Sequence, residues 1–173
     1  MRQTAFVTIT AVFVAFAGAG VLAHSGATGI VEERMDSMEA IGRSMKALNA
    51  MLRGEQDYDA TRVRALAREI GQHGGDNMTR LFPHGSMHRP TRALPTIWTD
   101  WDWFTALARR LSESAATLDA AADNRRAPSA SGTTRDDNSA PGIDELSKLS
   151  PEAAFARLAN TCTACHRDFR EKT

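Results

Sequence analysis

The chain has 173 residues, and its 21 basic residues balance 21 acidic residues, so that its net charge at neutral pH is zero with histidine uncharged. This balance argues against nucleic acid as a partner and predicts no strong electrostatic field for steering one. About 150 residues remain once the N-terminal segment is set aside, which is enough for one domain with one core.

The first 23 residues have the pattern of a secretory signal peptide. Arg2 precedes an apolar segment from Ala5 to Ala23, and Val21-Leu22-Ala23 places compact residues at the −3 and −1 positions of a cleavage site. Cleavage would leave a mature chain of residues 24–173 that begins with His24. The alternative is an uncleaved membrane anchor, because about 19 apolar residues nearly span a bilayer. In both cases the pattern predicts an exported, periplasmic protein, which meets a membrane only if the segment is retained.

The mature chain has helical periodicity in four stretches. Apolar residues recur every three or four positions from Ile30 to Arg53, from Tyr58 to about His73 and from Thr96 to about Ala122. The last helix opens with Ser150-Pro151-Glu152, which combines an N-cap, a proline in the first turn and an acidic residue, and it runs to Phe169.

The segments between these helices have no comparable periodicity. Residues 76–95 contain three prolines and predict a long connection with one helical turn near Met78 to Phe82. Residues 124–142 are rich in small, polar and charged residues and predict a flexible surface loop. Because there are no strand signals, the predicted fold is all-α, an antiparallel four-helix bundle over residues 24–173.

The only two cysteines lie on the last predicted helix, in Cys162-Thr163-Ala164-Cys165-His166. C-x-x-C-H is the attachment signature of c-type haem. Each thiol forms a thioether with one vinyl group of the porphyrin, and the histidine offers its imidazole to the iron. A helix brings these three side chains to one side, because they are three and four positions apart. The motif therefore predicts one haem c, held by Cys162, Cys165 and His166.

Three competing roles for the two cysteines fit their position less well. A thioredoxin-like C-x-x-C is expected near the start of a βαβ unit rather than close to a C-terminus. A zinc site needs four ligands, and the chain has no second pair of cysteines or histidines at suitable spacing. A disulfide between Cys162 and Cys165 would have to turn both thiols toward each other within a helix.

A bundle with C-x-x-C-H on its last helix resembles class II cytochrome c, the cytochrome c-prime family. The C-terminal motif continues as His166-x-x-Phe169-Arg170, as in that family. Arg34-x-x-x-Met38 is similar to a motif of the family's first helix, and Leu94-Pro95-Thr96-Ile97-Trp98 resembles the segment that opens its third helix. The resemblance extends over essentially the whole mature chain.

The resemblance implies two functions that differ in the second axial ligand of the iron. In low-spin members a methionine of the first helix ligates the iron and the protein carries electrons, and Met38 stands at the matching position. In high-spin members that site is open to nitric oxide or carbon monoxide. Met38 could instead be a core residue, since Met35, Met45 and Met51 share its helix.

The resemblance also places the two arginines of these motifs near the cofactor. Arg34 would approach the haem propionates, unless it is simply a solvated charge, and Arg170 would act on His166 from the same helical face. Phe169 and Trp98 are expected in the pocket or in the core. Because Trp101 and Trp103 cannot both face inward on one helix, at least one should be partly exposed.

The sequence thus predicts a monohaem electron carrier, not an enzyme, that exchanges electrons with periplasmic redox proteins. A gas-binding haem protein is the alternative, and a copper-binding module using His24 and the loop histidines is a third hypothesis. His73 could compete with Met38 as a ligand, and His84 and His88 could bind a second metal. Members of the family often pair through their first two helices, and the apolar stripes of this chain permit such a homodimer without requiring it.

Overall fold

The computed structural model describes residues 26–125 and 148–172. The signal segment, His24 and most of the predicted 124–142 loop lie outside these residues. In the described part of the chain no helix is both long and apolar enough to cross a membrane. The helices there are α1 (Ile30–Leu52), α2 (Ala60–Gln72), α3 (Asp76–Thr79), α4 (Thr96–Thr99), α5 (Trp101–Ala121) and α6 (Pro151–Phe169).

The four long helices α1, α2, α5 and α6 form an antiparallel bundle, as predicted. Helix α5 lies between α2 and α6 and packs extensively on both, whereas α1 packs mainly on α2 and meets α6 at few places. The core between them is lined by apolar side chains from every long helix, among them Leu48, Val63, Ile70, Leu118 and Leu158.

Local hydrogen bonds explain where two of these helices begin. The Asp59 carboxylate accepts from the backbone N–H groups of Thr61 and Arg62 at 2.8 and 3.2 Å. Ser150 Oγ accepts from the Ala153 N–H at 3.2 Å, and Pro151 stands at the first helical position. These side chains replace the intrahelical partners that the first N–H groups of a helix lack. The predicted N-cap of the last helix is therefore confirmed.

Three predicted boundaries differ from the structure. The third helix is divided, because Asp100 has the non-helical dihedrals φ −128° and ψ 51° and separates α4 from α5. The single helical turn of the connection lies at Asp76–Thr79, slightly earlier than predicted. The second helix begins at Ala60 instead of Tyr58, since Asp59 caps it.

The buried face of α1 also differs from the apolar stripe predicted from periodicity. Three polar side chains on this helix are buried, Arg34, Ser37 and Ser44, while Met38 keeps an exposed fraction of 37%. The two serines face α2, where Ser37 Oγ and His73 Nδ1 lie 2.8 Å apart and Ser44 Oγ donates to Glu69 at 2.7 Å. Polar contacts with α2 thus hold one side of α1, and Met35, Met38 and Met45 lie away from that side.

The bundle has two ends that differ in their connections. At one end Tyr58 Oη donates to the Ala122 carbonyl at 2.6 Å. At the other end, residues 92–94 run antiparallel to residues 169–171, with Leu94 N–H donating to the Phe169 carbonyl at 2.9 Å. We call this second end the motif end, and it comprises the first half of α1, residues 73–100 and the second half of α6.

Gly74 allows α2 and α5 to approach closely at the motif end. A Cβ atom at this position would lie 2.4 Å from Ser112 Oγ and 3.1 Å from the Ala108 carbonyl oxygen, which itself accepts from the Gly75 N–H at 2.7 Å. Gly74→Ala should lower the free energy of unfolding by about 2 kcal/mol, because Ser112 Oγ and the adjacent backbone of α5 must shift to admit the methyl group. Urea denaturation monitored by circular dichroism measures this loss.

Gly42 provides the matched control. It lies within α1, and an added Cβ would meet nothing within 4 Å. Gly42→Ala should raise the free energy of unfolding by about 0.5 to 1 kcal/mol, because alanine loses less backbone entropy in a helix. Equal effects of the two substitutions would contradict the close approach of α2 and α5.

Candidate cofactor site

The C-x-x-C-H motif occupies the second half of α6. Cys162 and Cys165 are unpaired and half-buried, and both pack against the edge of the core. His166 follows on the exposed side of the helix. Because all three lie within five helical residues, they present two thiols and one imidazole along one part of the α6 surface.

Burial keeps the groups of the motif in their neutral forms. It raises the pKa of Cys162, and burial together with Cys162 and Asp168 raises the pKa of Cys165 to about 11. Both side chains are therefore thiols at neutral pH. Partial desolvation, followed by the positive charge of Arg170, lowers the pKa of His166. A neutral imidazole is the form that can ligate a metal ion.

Hydrogen bonds fix the helical turn that follows the motif. Asp168 accepts from Arg167 Nε at 2.7 Å and from Trp103 Nε1 at 3.0 Å, and these bonds hold the pKa of its carboxyl group down at about 2. Its carbonyl oxygen accepts from Thr96 Oγ1 at 3.2 Å. The next residue, Phe169, is buried and meets Phe104 edge to face, with 5.5 Å between the ring centres. The motif is thus anchored to α4 and α5.

Met38 lies on α1 at the same end of the bundle. It is one turn before Ile41 on the helical face that continues into the core, yet it remains 37% exposed. Met35 and Met45 on this helix are half-buried, and Met51 is buried. Of the four methionines on α1, Met38 is the most accessible and lies in the half of the helix that shares an end with His166.

Arg34 is buried, with an exposed fraction of 5%, and it holds the connection between α3 and α4. Its guanidinium donates to the carbonyl of Leu81 and to both the carbonyl and the hydroxyl of Ser86, at 3.0 Å for the Ser86 carbonyl. The guanidinium carbon lies 4.2 Å from the centre of the Phe82 ring. Burial lowers the pKa of Arg34. The expectation of a solvated charge is therefore wrong.

Comparisons with known proteins place this arrangement in a family. A family model described as Cytochrome C' matches residues 29–137. A cytochrome c-556 of Agrobacterium tumefaciens is 31% identical over 144 residues, which cover 83% of this chain and 98% of that protein. A cytochrome c' of Cereibacter sphaeroides is 28% identical over 175 aligned positions, which cover 99% of each protein.

The fold agrees with the sequence comparison. The solved structure of cytochrome c' from Rhodopseudomonas palustris is 26% identical and superimposes with a TM-score of 0.64, covering 85% of this chain and 99% of that one. The chain belongs to the cytochrome c' family. It is a class II, monohaem c-type cytochrome with one covalently attached haem c, as the C-x-x-C-H motif predicts.

The residues of this cytochrome fit such a group. Haem c needs two unoxidised thiols at a fixed spacing and a neutral imidazole beside them, and the second half of α6 supplies both. The thiols lie against apolar core atoms, which suits the edge of a porphyrin ring. In the described residues no three His, Cys, Asp or Glu side chains are grouped so that they could hold a separate metal ion.

The aromatic residues of the cytochrome are placed as the sequence indicates, with one addition. Trp101 is 38% exposed and Trp103 is half-buried, which confirms that they do not both face inward. Trp98 packs against the core, and its Nε1–H donates to the Phe82 carbonyl at 2.9 Å. The addition is His84, whose ring stacks on Trp98 with 5.3 Å between centres.

The two other histidines in the described part of the chain lie at the end of α2 and in the connection between α3 and α4. His73 caps the end of α2 and is hydrogen bonded to Ser37, and His88 is exposed in the connection. Sequence reasoning missed the polar contacts of Ser37 and Arg34, because their partners lie 36 to 52 positions away. A buried arginine has no local signal in the sequence that distinguishes it from an exposed one.

Proposed function

We propose that this cytochrome is a periplasmic one-electron carrier in which Cys162 and Cys165 attach the haem, and His166 and Met38 ligate its iron. The observation that carries this proposal is the position of Met38. It is an accessible thioether on the first half of α1, at the end of the bundle that carries the motif. Bound there, haem c supplies an iron centre that accepts and releases one electron.

The connection between α3 and α4 supports the placement of Met38 near the motif. Arg34, one turn before Met38, binds Leu81 and Ser86. Residues 92–94 of the same connection bind residues 169–171 at the end of α6. One connection therefore ties the first half of α1 and the second half of α6 to the same end, while few direct contacts join the two helices.

The chemistry of the two ligands suits electron transfer. A methionine sulfur is a soft, neutral ligand that favours ferrous iron and so raises the reduction potential. Partial desolvation and the charge of Arg170 lower the pKa of His166, which favours the neutral imidazole that can ligate a metal ion. Arg170 contributes to this by its positive charge, so we propose that it is a positioning residue of the site. Arg34 could also reach the haem propionates, which stays a prediction.

The second candidate is a gas-binding protein in which Met38 does not ligate the iron. The observation that favours it is the 37% exposure of Met38. A flexible, partly exposed methionine side chain can move aside, so that a small ligand can reach the iron. In this case the haem iron would bind carbon monoxide or nitric oxide in place of the Met38 sulfur.

Spectra of the reduced cytochrome with and without carbon monoxide separate the two candidates. The electron-carrier proposal predicts sharp low-spin bands and little change on adding the gas. Met38→Ala should give high-spin bands, rapid carbon monoxide binding and a midpoint potential lower by on the order of 100 mV, because the thioether ligand is lost. Met45→Ala, two turns away on the same helix, is the matched control and should leave both properties unchanged. High-spin bands in the unsubstituted protein would exclude Met38 as the ligand.

Localisation and partners follow from the same proposal. We propose that residues 1–23 direct export and are removed, that residues 24–173 form the mature domain, and that small periplasmic redox proteins deliver and accept the electron. The relatives are cytochromes, and we propose a carrier without catalytic turnover. A homodimer through α1 and α2 is a further proposal. The mass of the polypeptide recovered from the periplasm tests the cleavage. The mass of the native protein in solution tests the dimer.

A further inference from the structure

The charges of this neutral chain are distributed unevenly. Residues 77–99 contain three arginines, Arg80, Arg89 and Arg92, and no acidic residue. Residues 153–172, which form most of α6 and its extension, contain four basic residues and two acidic ones. Together the two stretches have an excess of five positive charges, so the rest of the chain must carry an equal negative excess.

The fold joins the two basic stretches into one surface. The Glu171 N–H donates to the Arg92 carbonyl at 2.8 Å, next to the bridge between Ala93 and Arg170. The side chains around this bridge extend into solvent, since those of Arg89 and Arg167 are 85% and 66% exposed. We call this the basic surface, and it consists of exposed or half-exposed residues at the motif end: Arg89, Arg92, Arg167, Arg170 and Lys172.

The nearby acidic residues cancel only part of this charge. The Asp168 carboxylate accepts hydrogen bonds from Arg167 and Trp103. A carboxylate oxygen of Glu171 lies 3.8 Å from a guanidinium nitrogen of Arg89. Asp102 lines a separate cleft together with Asp76 and Arg109. Against the five basic residues of the basic surface, the three acidic residues Asp168, Glu171 and Asp100 leave an excess of two positive charges.

An exposed aromatic residue lies at the same end. Trp101 is 38% exposed, and its ring lies 5.5 Å from that of Phe104, which in turn contacts Phe169 beside the basic surface. Arginine and tryptophan are among the residues enriched at the centres of protein interfaces. A tryptophan next to several exposed arginines therefore favours a protein as the occupant.

We propose that the basic surface and Trp101 form the docking site for an acidic redox protein, which rests on the proposed electron-carrier function. His166 lies one turn before Arg170, so a partner on this surface would sit next to the haem site. Opposite charges would bring an acidic partner to this end of the molecule and repel a basic one. The zero net charge of the chain thus conceals a steering field that composition alone does not predict.

Small charged oxidants measure the charge at the electron-transfer site. Ferricyanide is an anion and tris(phenanthroline)cobalt(III) is a cation, and each takes one electron from the reduced holoprotein, leaving ferric haem. The ferricyanide rate should fall as salt is added and the cobalt rate should rise, because salt screens attraction and repulsion alike. Rates that do not depend on salt, or that change in the opposite directions, would overturn the proposal.

A charge-reversed variant locates the effect. Arg89→Glu with Lys172→Glu should lower the ferricyanide rate about tenfold at an ionic strength of about 10 mM, and the difference should vanish at high salt. Lys46→Glu with Arg62→Glu makes the same change in net charge at exposed positions toward the opposite end of the bundle, and it should alter the rate less than about twofold. Equal effects of the two variants would exclude a local basic surface.

Polyglutamate and anionic vesicles distinguish a protein partner from a membrane. Poly-L-glutamate should slow oxidation by ferricyanide in the unsubstituted cytochrome and have little effect on the Arg89→Glu, Lys172→Glu variant. Equal inhibition of both proteins, or none, would contradict the proposal. Sedimentation of the cytochrome with phosphatidylglycerol vesicles would identify a lipid surface as the occupant instead. Easy carbon monoxide binding would refute the electron-carrier function, yet the salt dependence of these rates would still test the surface charge.

Discussion

Replacing both motif cysteines with alanine should abolish covalent attachment of haem. Each thiol adds its sulfur to one vinyl group of the porphyrin and its hydrogen to the other vinyl carbon, so two thioethers form where the chain has two cysteines. These are the only cysteines of the chain, and both are free and half-buried on α6. After denaturation, the Cys162→Ala, Cys165→Ala protein should retain no haem, as measured by haem-dependent peroxidase staining of a denaturing gel.

The single variants test the assignment of one vinyl group to each thiol. Cys162→Ala and Cys165→Ala should each keep haem through one thioether, and the pyridine haemochrome band should shift to a longer wavelength, because one vinyl group stays conjugated with the ring. Met38→Ala is the control for folding and haem uptake, since it should change the spin state without changing the staining. Haem that survives denaturation of the double variant would contradict attachment at these two cysteines.

Much of the fold was predictable because its signals are local. The signals of α6 each depend on neighbours within one helical turn: the cap formed by Ser150, the proline that follows it and the three-residue spacing of the two cysteines. The structure confirms the helix that they predict. The break at Asp100 was missed because apolar residues continue at helical spacing across it, from Ile97 to Phe104. Periodicity reports which residues face inward, but it does not report a single residue with non-helical dihedrals.

The candidate site was predictable only on the side of α6. The C-x-x-C-H motif identifies its cofactor from the sequence alone. The direction in which Met38 points depends on the rotation of α1 about its own axis, and contacts with residues distant in sequence set that rotation. Ser37 and Ser44 turn toward α2, and Arg34 turns toward residues 81–86. A search for apolar stripes assigns all three to the outside. The distribution of charge was missed for a similar reason, because the antiparallel contact of residues 92–94 with residues 169–171 joins stretches that composition treats separately.

Loss of the buried Arg34 guanidinium should destabilise the protein more than any exposed substitution on α1. Arg34→Met keeps a long apolar stem but leaves the carbonyls of Leu81 and Ser86 without their donor. The free energy of unfolding should fall by about 3 kcal/mol, since each buried polar group that loses its partner costs roughly 1 to 3 kcal/mol. Arg34→Lys should recover only part of this loss, because one ammonium group cannot reproduce the fork of donors.

Arg43 on the same helix is the matched control for this prediction. Its side chain is 64% exposed and pairs with Glu39 at 2.7 Å, so Arg43→Met should change the free energy of unfolding by less than about 0.5 kcal/mol. Urea denaturation of the holoprotein, followed through the haem spectrum and through circular dichroism, compares the variants. If Arg34 acted only on the haem propionates, Arg34→Met would shift the reduction potential and leave the denaturation midpoint unchanged. A fall in the midpoint confined to Arg34→Met and Arg34→Lys would instead show that this residue holds residues 81–86 against α1, and with them the connection that keeps Met38 and His166 at one end of the bundle.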